Sequence, residues 1–215
     1  MKRFFLLGFI VTFTAIIYNC DDSGITTEEE THEVTGTVNN WTQGTKILKA
    51  VVKDSANTSI FLADSTRIAT DGSFTLKLKT PPDNFFYVYS PYNGTGCSGV
   101  ITINPSGLKQ ASLTFNVFDT NNNQMGTIQK KSYDSFPTNN SHSVSFLNFK
   151  EVGSATGSIT CQRPSDTTTV TANFTSVAGW NTVVLVWNEF NPITLHYNAT
   201  IQNTEPAASL WYYVP

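Results

Sequence analysis

Asp71-Gly72-Ser73-Phe74-Thr75-Leu76-Lys77-Leu78-Lys79 is a turn followed by a strand that buries one face. Successive side chains of an extended chain point to opposite sides. Phe74, Leu76 and Leu78 therefore face one way, and Ser73, Thr75, Lys77 and Lys79 the other. Asp-Gly marks the turn because glycine reaches positive φ without steric cost. Pro81-Pro82 ends the strand, since proline offers no N–H to a ladder. The same period of two governs the chain on both sides of this stretch. Upstream, His32 to Val38 alternates with Val34 and Val38 on one face, and Lys46 to Val52 and Ser59 to Ala63 are further extended runs. Downstream, strands are expected over Phe85–Tyr89, Ala111–Phe118, Met125–Tyr133, His142–Phe149, Ser158–Cys161, Thr168–Val177, Asn181–Trp187, Thr194–Ile201 and Leu210–Val214. Ile193, Leu195, Tyr197, Ala199 and Ile201 alternate with Thr194, His196, Asn198 and Thr200, which predicts a strand with one wet face. Val183-Val184-Leu185-Val186-Trp187 has no polar face, so it is expected to be central and covered on both sides. No helical period of useful length runs through the chain after its first segment. The fold class expected is all-β.

Composition agrees. Charged residues are 13% of the 215, about half of the roughly 25% usual in soluble domains. Thr, Ser, Asn and Gln supply the polar surface instead, as in extracytoplasmic β proteins. The net charge is −3 and no basic stripe is present, which argues against nucleic acid as a partner.

Lys2 and Arg3 precede an uncharged apolar run from Phe4 to Ile17, too short to span a bilayer, which takes about 20 residues. Ile17-Tyr18-Asn19-Cys20 resembles the lipobox of bacterial lipoproteins. The resemblance implies cleavage after Asn19, acyl chains on Cys20, and attachment to the bacterial cell envelope through that lipid. The outer membrane or cell surface is favoured over the inner membrane, and Asp21-Asp22 as a sorting signal leaves the choice between them open. The alternative is an ordinary secretory signal followed by a chance cysteine. Residues 21–30, with Glu28-Glu29-Glu30, are polar and lack a hydrophobic period, so 20–31 reads as a flexible acidic tether. With Cys20 assigned to lipid, Cys97 and Cys161 are left as a pair in an oxidising compartment, either as a disulfide or as two buried thiols.

Val34-Thr35-Gly36-Thr37-Val38 together with Ile68-Ala69-Thr70-Asp71-Gly72-Ser73-Phe74-Thr75-Leu76 resembles the carboxypeptidase regulatory-like module, a transthyretin-like β-sandwich. That resemblance implies a scaffold or adhesion role. Residues 91–107 hold Pro91, Gly94, Gly96, Gly99, Pro105 and Gly107, a density of turn formers that marks a boundary or long crossover. The expected organisation is a signal peptide (1–19), the acylated Cys20 and tether (20–31), a transthyretin-like sandwich (32–92), and a second, transthyretin-like or Ig-like, sandwich (93–215).

Catalytic templates are missing: there is no GxSxG, HExxH or phosphate loop. Ser106-Gly107-Leu108-Lys109 matches SxxK only formally, since Pro105 and Gly107 place it in a loop. Asp119-Thr120-Asn121-Asn122-Asn123 has oxygen ligands at alternate positions, yet Gln124 and Lys130 stand where a calcium loop needs Gly and Glu, so it reads as a polar hairpin turn. His142 and His196 are expected to be solvated. No catalytic residue, metal ligand or cofactor is assigned. The aromatics carry what ligand signal there is. Trp187 reads as core, whereas Trp41 and Trp180, beside Gly44 and Gly179, are expected in exposed loops, as contacts for a glycan or an envelope protein; the alternative is that all of these rings bury apolar area in thin sandwich cores. The function expected is a non-enzymatic binding, adhesion or structural module, with glycan binding in nutrient capture or hydrolysis of glycans or peptides as alternatives. A Ser–His pair or converging carboxylates would favour hydrolysis; an aromatic groove would favour binding.

Overall fold

The computed structural model describes residues 32–90, 96–135, 137–162, 167–191, 193, 194 and 196–215. The expected signal peptide (1–19), Cys20 and the expected tether (20–31) lie outside the described residues. What is described is all-β, with no α-helix among the described residues. Fourteen strands follow one another: β1 (His32–Thr37), β2 (Lys46–Lys53), β3 (Ile60–Ile68), β4 (Ser73–Leu78), β5 (Tyr87–Val88), β6 (Cys97–Asn104), β7 (Lys109–Phe118), β8 (Gln124–Lys131), β9 (Ser141–Phe149), β10 (Gly153–Gln162), β11 (Thr167–Ser176), β12 (Gly179–Asn191), β13 (His196–Gln202) and β14 (Leu210–Val214).

β1 and β4 form a two-stranded sheet in full register, from His32 opposite Leu78 to Thr37 opposite Ser73. The other strands form one continuous sheet ordered β3-β2-β7-β8-β9-β12-β13-β11-β10-β6, with β14 on β8 and β5 on β7. The pairings are antiparallel except β11 with β13. The turn at Asp71-Gly72 adopts the expected conformation, with Gly72 at φ +86°. The Gly72 N–H donates to Ala69 O, and its own carbonyl accepts from Val38 N. It passes the chain from β3 in the large sheet to β4 in the small one. Phe74, Leu76 and Leu78 are buried between the two layers.

Two apolar cores result. The first joins Val34, Leu48, Ile68, Phe74, Leu76, Phe115, Phe146, Trp180 and Trp211. The second joins Tyr89, Leu108, Leu147, Phe149, Val170, Phe174, Val183 and Ile201. β9 and β12 are the wall between them: Val144, Phe146 and Trp180 point into the first core, while Leu147, Phe149, Val183 and Leu185 point into the second. A strand covered on both faces needs no polar face, which accounts for the unbroken apolar run of β12. The first core takes residues from both sides of position 92, and β2 pairs with β7 from Ile47↔Phe118 to Val52↔Leu113. Residues 32–92 are therefore not closed by their own strands.

The turn formers at 96–107 are mostly strand, and only Pro105–Gly107 serve in the short connection that carries the chain from β6 at one end of the sheet to β7, which is not its neighbour. Cys97–Asn104 is an edge strand, antiparallel to β10. Its Gly99, at φ +89°, lies against the backbone of Ser158 and Ile159, where a side chain would not fit. Cys161 lies opposite Cys97 in this pairing, and the two sulfurs are at disulfide distance, 2.03 Å. Ser158–Cys161 is the end of the longer strand β10.

Candidate functional site

Where β1 ends, Val38 bridges in parallel to Trp211, and the Asn39 N–H donates to Trp211 O (2.7 Å). Asn40 then takes a left-handed conformation (φ 51°), which short polar side chains tolerate. The turn sets Trp41 at the edge of the first core, half-buried, with its Nε1–H donating to Gly44 O (2.7 Å). Its ring meets Tyr213 edge-on, centroids 5.5 Å apart at 88°. Tyr213 is held in turn by its hydroxyl, which donates to Met125 O (2.9 Å).

These residues line a cleft of about 360 Å³, completed by Asn39, Asn40, Thr42, Gln43, Asp134 and Tyr212. Lys131 braces the far wall. It is 6% exposed, donates to Asp134 O (2.7 Å), and lies over the rings of Tyr212 (5.5 Å) and Tyr133 (5.0 Å). Burial of the Tyr133 phenol raises its pKa, so it stays neutral. The cleft thus offers an aromatic wall of fixed orientation, amide and hydroxyl groups at its rim, and one carboxylate.

Of the two tryptophans expected in loops, only Trp41 reaches such a position. Trp180 is the second residue of β12, 8% exposed, and packs in the first core; this corrects the expectation that it stands in an exposed loop. Asn181 explains why the strand starts so early. Its side-chain amide accepts from Val177 N and donates to the Val177 and Gly179 carbonyls, closing the β11–β12 turn ahead of it. Trp187, expected in the core, is half-buried at the mouth of a second cleft.

His142, expected in solvent, is 2% exposed. Its Nε2 shares a 2.6 Å hydrogen bond with Ser209 Oγ, and burial holds its pKa below the ordinary value, against the pull of Glu205. Glu205 is itself bound by Lys130 (2.8 Å). This Ser–His pair is packed between β9 and the segment leading into β14, with the imidazole sealed from solvent. Asp119 is consumed by its own turn: Oδ1 accepts from the N–H groups of Asn121 and Asn123, and Oδ2 from Asn123 Nδ2. Among the described residues no group of three His, Cys, Asp or Glu side chains converges as metal ligands do. No helix of the described residues is long and apolar enough to cross a membrane.

The sequence pointed to Trp41 but not to Asn39, Asn40, Gln43 or Asp134 around it. Their signal, two adjacent amides ahead of a tryptophan, is too common in this Asn-rich chain to stand out. No protein family, curated protein or solved structure matches the chain.

Proposed function

We propose that this protein is a non-catalytic binding module, held at a bacterial envelope by lipid on Cys20, and that the Trp41 cleft takes a neutral glycan. The observation that carries the reading is the Trp41–Tyr213 pair. Both rings are fixed by their own hydrogen bonds before any ligand arrives, so little conformational freedom is lost on binding. The apolar face of a sugar ring stacks on such a wall, and amides at the rim match its hydroxyls. The lipobox resemblance at Ile17–Cys20 and the polar tether support display at a membrane. The likeness of Val34–Val38 and Ile68–Leu76 to carboxypeptidase regulatory-like modules supports a scaffold without catalysis.

Affinity electrophoresis through gels containing mannan, xylan or β-glucan tests the site. Retardation by at least one polymer, weakened about tenfold or more in a Trp41→Ala variant that is folded by circular dichroism, is the expected result. Equal retardation of both proteins would remove the cleft from the reading. Labelling of Ser209 by a fluorophosphonate probe would turn it toward hydrolysis instead. The anchor is tested separately: Cys20→Ser should move the protein from the detergent-dependent fraction to the soluble one.

A further inference from the structure

Among the described residues the second core is not closed at one end. Val183, Leu185 and Trp187 alternate along β12 and share the face that looks into it. Between Trp187 and Glu189 the pairing of β12 with β13 slips by one residue. A bulge of this kind re-aims the side chains beside it. Trp187 is left half-buried, edge-on to Tyr197 with centroids 4.9 Å apart at 70°. Together with Ile201 these residues wall a cleft of about 260 Å³.

Gln110 also lines this cleft. It stands where β5, β7 and β9 meet, opposite Tyr87 on one side and Phe149 on the other. The residue is 8% exposed, and its Oε1, turned away from the open volume, has no hydrogen-bond partner among the described residues, so a half-turn of the amide would bring it to the cleft. A buried amide left unpaired is costly, and native structures contain few of them. No charged side chain lines the cleft among the described residues.

We infer that this cleft is a second binding site, separate from the Trp41 cleft, for a small neutral molecule with an aromatic or alicyclic body and one hydroxyl or amine. The ring fills the apolar volume against Trp187, and the polar group pairs with the Gln110 amide. A half-turn of that amide exchanges its oxygen and nitrogen, so it meets a donor or an acceptor equally well. The volume lies near the lower end for ligand pockets, which fits one ring rather than a peptide or an acyl chain.

The test compares p-cresol with toluene, which differ by one hydroxyl, by titration into the 15N-labelled protein. A saturable shift of the Trp187 indole N–H is expected, with a p-cresol Kd of about 1 mM or tighter. Toluene should bind about tenfold more weakly. In Gln110→Leu the difference between the two should vanish while toluene still binds. Leu185→Trp, which fills the cleft, should abolish the shift for both. Equal affinity of the two probes for the wild-type protein, or an unmoved Trp187 signal, would overturn the inference whether or not either variant folds.

Discussion

The Cβ that Gly36 lacks would stand inside the indole of Trp211, 2.5 Å from its Cδ1. β1 approaches β14 at this point only because residue 36 has no side chain. The indole is enclosed by Phe74 and Phe115 edge-on, each with centroids 5.1 Å away, and by Phe146 stacked at 5.9 Å. Gly36→Ala should cost about 1–3 kcal/mol by overpacking, because none of the three rings has room to yield. Chemical denaturation with Trp fluorescence reads it. A midpoint equal to wild type would mean that β1 stands further from β14 than described.

Gly72 combines positive φ with close neighbours. A Cβ there would lie 2.8 Å from Val38 O and 2.9 Å from Trp41 Cβ. Gly72→Val should therefore lose about 1–2 kcal/mol through left-handed strain alone. It should also displace Trp41, which a changed near-UV dichroism band would report. Wild-type melting with an unaltered band would argue against this turn.

Cys97 and Cys161 are 64 residues apart in sequence. A bond between them shortens the unfolded chain's freedom by about 4 kcal/mol on the loop-entropy model. Intact mass should rise by two hydrogen atoms on reduction with a thiol or phosphine reductant, and the reduced protein should unfold at lower denaturant. An unchanged mass would leave two adjacent thiols.

His142 sets a pH dependence. Its folded pKa lies below the ordinary value because burial disfavours the imidazolium, so in this range the unfolded chain binds more protons than the folded one. Stability then rises with pH, and is lost as pH falls through the unfolded value near 6.5 toward the folded one. Asp54, Asp71 and Asp119 are lowered by hydrogen bonds within their turns, chiefly from Thr58, Ser73 and Asn123, so their contribution disappears only in stronger acid. The melting temperature should drop between pH 7.5 and 5.5, and His142→Gln should flatten that drop. A wild-type melting temperature that is level across this range contradicts the sealed imidazole.

Strand positions were readable from alternation wherever one face is buried, as in β4 and β13. The unbroken run of β12 likewise announced a strand with two covered faces. What failed was information that lives between distant segments. Trp180 sits beside Gly179 and looks like a loop residue, yet its register opposite Asn148 of β9 decides that it points inward. β6 was hidden because Gly96 and Gly99 resemble turn formers, and only the backbone of β10 pressed against Gly99 explains a glycine inside a strand. The separation at residue 92 seemed natural from composition, but the β2–β7 ladder that crosses it leaves no local mark. Trp41 was recognised as a candidate; its partner Tyr213 arrives from 172 positions away through the Val38–Trp211 bridge.

That bridge also defines a path for tension. When the chain is pulled at His32 while the Trp41 cleft is held, the load enters β1 along its axis. All six residues of β1 are registered against β4, and ladder hydrogen bonds run across the strand direction. They are strained together, in shear, instead of opening one after another. What remains passes through the Asn39 N–H to the Trp211 carbonyl and into β14. A pull at His32 thus meets the β1–β4 ladder, the packing of Val34 and Val38 in the first core and the Val38–Trp211 bridge before it reaches the cleft.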